Sequence, residues 1–427
     1  MAVLLLFLAY EPARGQAGTA IIVVATCVLL SVSEVLPIWA MTIALWLLAP
    51  LLLFRFGEQF APWNVIRGSL HPMLMVFFTG FMFAAAARRH RIDDRLTNGA
   101  LRIAAGDHWR LTALIAVVTV WLSAWISNVA AAALMFGTLR HLSITSVIDK
   151  DQQRSLLLAT ALAANLGGMI TPISAGPNAI AIAAVRSAVE VNFATWMLFA
   201  VPLTIGAVVG ALLLGMLIVR PARFHSASRF DHARRPLDRR TAVIFAITIA
   251  AWVSEPLHGI NAATTALVAA LLLVGTRAIT WQEVRELDWG TLILIAGGVG
   301  IGNVMSRSGA AQAIVNALPL HYSATITLFL LCLLSAGLAG VMSNTGTAAL
   351  LIPLGAALLV TPSTAILIAL ATAFGFPFTI STPANVIAVR HGVLPKDLFK
   401  IGVIAMIGGC AILALTGPTV LAWFGIR

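Results

Sequence analysis

From Ser308 to Val389 the chain carries no Asp, Glu, Lys or Arg, and the same holds from Leu111 to Leu139. Uncharged runs of that length can cross a hydrocarbon core, which takes roughly 20 apolar residues per helix. Their middles are nevertheless polar. "AWISNVAAAALMFGTL" (124–139) sets Ser127 and Asn128, and "AGVMSNTGTAALLIPL" (339–354) sets Ser343 and Asn344, at a depth where a polar group without a partner is costly. Composition agrees: 60% of residues are hydrophobic and 10% charged, against roughly a quarter charged in soluble domains. The fold class expected is therefore an all-α polytopic membrane protein embedded in the lipid bilayer.

At about 20 residues per crossing, a first helix falls near 2–10 and spans near 19–36, 37–54 and 70–88. Interrupted apolar stretches follow at 111–139, 155–190, 322–361 and 364–389, with ordinary spans near 195–219, 241–256, 260–275, 288–305 and 401–424. The expected organisation is an N-terminal helix and loop (1–18), a first unit (19–219), an Arg-rich linker (220–240) and a second unit (241–427). "MAVLLLFLAY" lacks the basic flank of a cleavable signal and reads as a first helix with a trimmed start. Cys27, Cys332 and Cys410 lie far apart in apolar runs, with no CxxC or Cys/His cluster, and read as packing residues. A net charge of +11 would suggest nucleic acid in a soluble chain. Here most Arg and Lys sit in short loops between apolar runs, where they orient the protein, so no nucleic-acid partner is expected.

The two Ser-Asn pairs belong to an ordered set of echoes. "VSEVL" (32–36) recurs as "VSEPL" (253–257), and "SAGPNAIAI" (174–182) as "STPANVIAV" (381–389), in the same order as the pairs. Each copy holds about five crossings, an odd number, so the two copies must run in opposite senses through the membrane. Charge tests this. The segment 88–110 carries Arg88, Arg89, Arg91, Arg95, Arg102 and Arg110, whereas its counterpart at 306–322 carries only Arg307. Positive loops stay cytoplasmic, as should the linker "RPARFHSASRFDHARRPLDRR" and the basic "RHGVLPKDLFK" (390–400). With about eleven crossings, the N-terminus is expected in the cytoplasm and the C-terminus outside the cell (inner) membrane. Inverted repeats with interrupted helices point to a secondary transporter with its site near the midplane.

Two hairpins turning back in mid-membrane would bring Ser-Asn tips to one centre. "GGMITPISAGPN" (167–178) and "FGFPFTISTPAN" (374–385) supply matching helix breaks, where Gly and Pro stop a helix and Asn178 and Asn385 can bond freed carbonyls. The hairpins have no carboxylate to pair with a cationic substrate and no Arg or Lys to pair with an anionic one. Half-helix N-termini and bound cations are the means left for balancing an anion, and Ser, Asn and backbone oxygens suit a small hard cation such as Na+. A small anion carried with Na+ fits both demands; a neutral substrate stays open on composition alone.

These motifs, with "DWGTLILIAGGVGIGNVMSRSGAA" (288–311), resemble the divalent anion:sodium symporter (DASS) family over nearly the whole chain. The resemblance implies two inverted repeats with re-entrant hairpins, a homodimeric scaffold and an elevator-type movement of a transport domain. It also implies a dicarboxylate, citrate or sulfate as substrate, with Na+ symport in most members and exchange in some. Carried over residue by residue, it implies one Na+ site of Ser123, Ser127, Asn128 and the backbone at Ser174. It implies a second from Asn344 and the backbone near Ala339, Met342 and Ser381. The anion would lie between Ser127-Asn128 and Ser343-Asn344-Thr345, with Thr382 and Pro383 alongside. The chain departs from the family pattern in having Val129 for Thr after the first Ser-Asn, Ala175-Gly176 for the first Thr-Pro, and Ala339 at a position often hydroxylated. Hydroxyls are thus concentrated in the second half. On that count the expected substrate is compact, or polar mainly at one end, held by Ser343, Asn344, Thr345 and Thr382.

Other readings weigh less. No HExxH or paired intramembrane aspartate motif supports an enzyme, so none is expected. Related ion-transporter branches are the alternative: an anion exchanger, an arsenite efflux component or a Na+/H+ antiporter. An antiporter generally needs a titratable residue at its site, and the hairpins have none. Glu34 and Glu255 of the repeated "VSE" read as interfacial or scaffold contacts. "GGVGIG" (297–302) lacks the βαβ context of a nucleotide loop and reads as close helix packing, as do Gly206 and Gly210.

Overall fold

Proline-led starts and side-chain caps divide the apolar sequence into helices, and no strand occurs among the described residues. The computed structural model describes residues 15–32, 36–37, 39–90, 92–104, 107–144, 150–218, 239–317, 322–359, 361–379 and 381–426. The expected helix near 2–10, Glu34 and nearly all of the linker 220–240 lie outside them. The first series of helices is α1 (Gln16–Val32), α2 (Ala40–Leu53), α3 (Pro62–Ser69), α4 (Met73–Arg89), α5 (Ile92–Ala104), α6 (His108–Ile126), α7 (Asn128–Ile144), α8 (Lys150–Gly167), α9 (Gly176–Val185) and α10 (Phe193–Ile218). The second is α11 (Arg239–Val253), α12 (Glu255–His258), α13 (Ala262–Gly275), α14 (Trp281–Arg285), α15 (Trp289–Ser308), α16 (Ala310–Ala317), α17 (Ala324–Ala339), α18 (Asn344–Leu359), α19 (Pro362–Ala371), α20 (Pro383–Arg390) and α21 (Pro395–Trp423).

Side chains set several of these starts. Asp107, Asn261, Asp288 and Ser323 each accept from the backbone N–H three residues on, and Thr280 with Glu283 forms a reciprocal capping box. Among the described residues, α6, α10, α15 and α21 are long and apolar enough to cross a membrane, and α3 with α4, bent by 51°, adds a fifth candidate. Seven further apolar helices are shorter. Part of the shortfall from about eleven full-length helices has a physical source: Gly and Pro divide 155–190 into α8, of 18 residues, and the 10-residue α9, and divide 364–389 into the 10-residue α19 and the 8-residue α20.

The packing is reciprocal. α6 and α7 pack on α8, as α17 and α18 pack on α19; α9 packs against α18 and α19, while α20 packs against α7 and α8. α15 packs on α2, α3, α9 and α18, and its glycines allow it. A Cβ at Gly300 would lie 2.8 Å from Leu45 Cδ2, so the glycine run is a close-packing device. Gly206 and Gly210, expected to pack likewise, meet nothing within 4 Å. They lie on the outer face of α10 with exposed Ile205, Val209 and Leu213. Similar apolar stripes, Ile43, Leu47 and Leu51 on α2 and Leu267 and Leu271 on α13, are exposed where a soluble protein would be polar. They form the surface a bilayer covers.

Charged ties lie near helix ends. Arg89, closing α4, pairs with Glu283 at 2.9 Å. Desolvation would raise the Glu283 carboxyl, but hydrogen bonds from Thr280 and Arg89 outweigh it and hold its pKa below the usual value. Arg154 near the start of α8 pairs with the buried Asp397 at the start of α21.

Candidate functional site

The first hairpin turns on one residue. α6 ends at Ile126 and α7 begins at Asn128, leaving Ser127 at φ +88° and ψ 146°. That region of backbone space is essentially a glycine preserve and costs an L-residue on the order of 1–3 kcal/mol. Ser127 Oγ accepts from Ala130 N at 3.4 Å, which caps α7, and its carbonyl accepts from Ala131 N at 3.0 Å. Asn128 Oδ1 accepts from Val129 N at 2.9 Å. Ser123, one turn back and fully buried, donates to Ala164 O on α8 at 2.7 Å.

The second hairpin turns over Gly340 to Ser343, with no left-handed residue. Met342 N donates to Leu338 O at 2.8 Å, Ser343 Oγ accepts from Gly346 N at 3.0 Å, and Thr347 N donates to Ser343 O at 2.9 Å. The two serines thus share one local task, capping the returning helix, while Asn128 and Asn344 each open it. Ser127, Asn128 and Asn344 are half-buried and Ser343 is exposed, so both tips reach open space; Thr345 is buried.

The breaks are held by their asparagines. Asn178 Nδ2 donates to Gly168 O at 2.9 Å and Thr171 O at 2.8 Å, and Ser174 Oγ donates to the same two carbonyls at 2.6 and 2.7 Å. Asn385 Nδ2 donates to Phe376 O at 3.1 Å and Phe378 O at 3.0 Å, and Ser381 Oγ also donates to Phe378 O. The carbonyls freed by unwinding are therefore paired inside each loop. The helix starts differ. Thr382 Oγ1 accepts from Asn385 N at 3.2 Å and caps α20, which Pro383 opens, whereas Ala175 gives α9 no side-chain cap.

Two contacts bring these parts together. A Cβ at Gly168 would stand 3.7 Å from Asn128 Cβ, so the first tip touches the first break. A Cβ at Gly176 would stand 2.8 Å from Thr345 Cγ2 and closer still to its Oγ1, so the second tip rests on the start of α9. The first break is thus wedged between the tips. Ala339 is fully buried at the end of α17.

Asn165, three per cent exposed on α8, was not among the residues singled out from sequence. Its Nδ2 donates to Ala161 O at 2.9 Å and to Asn385 Oδ1 at 3.3 Å, linking the helix before the first break to the bracket of the second. A polar amide in the apolar "ALAANLGG" was the available signal. Among the described residues no group of three or more His, Cys, Asp or Glu could hold a metal ion. Any cation here would be held by hydroxyl, amide and backbone oxygens, the donor set of hard ions.

Comparison with known proteins follows the same lines. A protein of Haemophilus influenzae described as an uncharacterized transporter is 28% identical over 97% of this chain and 94% of its own length. A sodium-dependent dicarboxylate transporter of Staphylococcus saprophyticus is 25% identical over 87% of this chain and 80% of its own. A low-affinity phosphate transporter of Saccharomyces cerevisiae is 29% identical over 58% of this chain but only 29% of its own. The citrate transporter family matches residues 21–354. With that match joined to an all-helical, apolar-surfaced fold, the chain is a membrane transport protein and belongs to the citrate transporter family.

Proposed function

We propose that this chain couples the inward movement of Na+ to that of a small anion, a dicarboxylate or a compact oxyanion. The observation that carries the reading is the first break, free of charged side chains, wedged between two Ser-Asn tips with Thr345 seated on Gly176. An anion there can be met by Thr345, Ser343, Asn344 and the uncapped N-terminus of α9, whose aligned peptide dipoles favour negative charge. Oxygens of Ser123, Ser127 and Asn128, with the backbone at Ser174, would take one Na+; Asn344 with the backbone near Ala339, Met342 and Ser381 would take another. Bound Na+ supplies the positive charge that the side chains lack.

The matching series of helices and the exchanged contacts of α9 and α20 support two inverted repeats, 19–219 and 241–427; the Arg-rich segment 88–110 favours an N-terminus inside and a C-terminus outside. On this reading the hairpins, the broken helices and their contents move as one body against α1–α4 and α11–α15 of a homodimeric scaffold. The sodium-dependent dicarboxylate carriers among the relatives favour this coupling.

The test is uptake into proteoliposomes of labelled citrate, succinate, phosphate and sulfate, with an inward Na+ gradient and with choline in its place at constant pH. At least one anion should accumulate only with Na+, with a response to Na+ steeper than first order. Equal uptake in choline would remove the coupling and favour exchange or protons.

A further inference from the structure

A cavity of about 690 Å³ opens between α9 and α18 on one side and the α3–α4 turn and α15 on the other. Among the described residues its polar side chains come from Arg186, His71, Ser187, Asn303 and Ser306, and no Asp or Glu lines it. Arg186, Ser187 and Ser306 are exposed and mark its mouth, while Ile180, Val299 and Ile352 are buried and mark its floor. His71 Nδ1 accepts from Met73 N at 3.3 Å, which leaves the proton of a neutral ring on Nε2. That Nε2 is buried and has no hydrogen-bond partner among the described residues. A guanidinium beside an unpaired N–H donor, with no acid in the lining, lacks one thing: an acceptor carrying negative charge. A smaller adjoining cavity of about 230 Å³ shares His71 and Arg186 but is also lined by Glu190 and Glu255, which makes it the poorer place for an anion.

The position gives this cavity a use. Arg186 follows the last residue of α9, whose first residue, Gly176, is the seat of Thr345. Ten residues of helix separate the two, about 15 Å. The floor reaches Ile180, about one turn from Gly176. There it is shut: a Cβ at Gly298 would lie 2.5 Å from Ile180 Cδ1 and 3.0 Å from Ala349 Cβ, so α9, α15 and α18 meet without a gap. The cavity opens at the end of α4 remote from Arg88 and Arg89.

We propose that this cavity is an antechamber that binds a small carboxylate or oxyanion at Arg186 and His71 before it enters the central site, with Ile180, Gly298 and Ala349 as the closed seam between them. The assignment of the bound anion as substrate rests on the carrier reading above; the cavity's preference for anions does not. Arg186 is a positioning residue for entry and is absent from the central site itself.

The experiment keeps the two separable. In the full chain, Cys27, Cys332 and Cys410 are all buried, so Ser306→Cys, and independently Ser187→Cys, puts an accessible thiol at the mouth. Each variant is treated in proteoliposomes with anionic sulfonatoethyl and cationic trimethylammonioethyl methanethiosulfonate, each rate divided by that reagent's rate with free 2-mercaptoethanol. The normalised anionic rate should exceed the cationic one by at least about threefold. Adding Arg186→Gln should abolish the bias and Arg186→Lys should retain it. Citrate, phosphate or sulfate should slow the labelling. A normalised ratio of one or below in the parent, at both positions, overturns the antechamber. In transport, Arg186→Gln should raise KM severalfold with kcat within about twofold and Arg186→Lys should restore KM, whereas a merely structural role would lower kcat or protein yield. A labelling bias without Na+-dependent uptake supports the anion cavity and removes the coupled-carrier reading. Coupled uptake without the bias removes the antechamber alone.

Discussion

The two hairpin tips carry the same dipeptide on different backbones. Ser127 makes the whole turn in a strained conformation, while the second tip spreads its reversal over Gly340 to Ser343 with ordinary torsions. The breaks differ in the same sense: Thr382 caps α20, whereas Ala175 leaves the start of α9 uncapped and Gly176 leaves it bare. Repetition of sequence therefore repeats the position of Ser and Asn without repeating the supply of hydrogen bonds. The second half contributes hydroxyls, and the first contributes the uncapped N-terminal end of α9 and a space into which Thr345 fits. The missing hydroxyls at Val129 and Ala175 are matched by a crossing contact that a half-by-half count of side chains overlooks.

The strongest way to break this comparison is to remove what the tips share. Asn128→Ala and Asn344→Ala should each reduce Na+-driven uptake to below about a hundredth of the parent if, as proposed, each amide oxygen is a cation ligand that no neighbour replaces. Membrane yield and thermal stability should change little, since both amides are half-buried and neither packs the core. Full activity in either variant would mean that the tip is helix architecture only.

The next effect separates the two breaks. Gly176→Ala would push a methyl into Thr345, and overpacking of this kind typically costs about 1–3 kcal/mol. Uptake should fall about tenfold or more, at the energetic cost of displacing the second tip. Adding Thr345→Ala should recover stability but not uptake. At the matching place in the second break a proline already opens the helix, a position where it is tolerated but not required, so Pro383→Ala should be mild. Thermal unfolding and uptake measured together on the three variants decide it.

Much of this was legible because it depends on short local signals. Charge-free runs gave the membrane, Gly and Pro gave the breaks at 167–178 and 374–385, and paired motifs gave Asn178 and Asn385, whose amides do bracket the unwound carbonyls. What escaped depends on contacts across the chain. Asn165 matters through Asn385, 220 residues away, and Gly176 through Thr345, and neither pairing leaves a trace in local spacing. Gly206 and Gly210 failed for the opposite reason: the spacing was right, but the face they occupy turns outward. Sequence alone offers the serines at 127 and 343 as ligands; their capping of α7 and α18 depends on where those helices start.

A smaller effect sharpens the chemical asymmetry. Thr345→Val keeps the shape beside Gly176 and removes a donor, so uptake of the native anion should fall about tenfold, the worth of one hydrogen bond to a charged group. The reverse change, Val129→Thr with Ala175→Thr, adds hydroxyls to the poorer side; Val129 is 44% exposed, so the first is easily accommodated. Relative uptake of a four-carbon dicarboxylate over sulfate or phosphate should rise by a few fold. If the parent already prefers succinate or citrate strongly, the uncapped end of α9 suffices for the second carboxylate and the double variant should change nothing.

The smallest effect is a difference in sign. Ser127→Gly releases a residue from φ +88°, a gain of about 1 kcal/mol or more, and loses a long cap at 3.4 Å, for which glycine substitutes at a cost of a few tenths of a kcal/mol. Ser343→Gly has no strain to release and gives up a better cap at 3.0 Å, while the chain freedom that glycine adds to the unfolded state weighs equally on both variants. Thermal unfolding in detergent should therefore show Ser127→Gly at or slightly above the parent and Ser343→Gly slightly below it. Uptake should fall in both, because each loses an oxygen at its tip. That pattern would show strain held at the first tip for the sake of Ser127 Oγ; destabilisation by both substitutions would mean that surrounding contacts, rather than the serine's task, impose the turn.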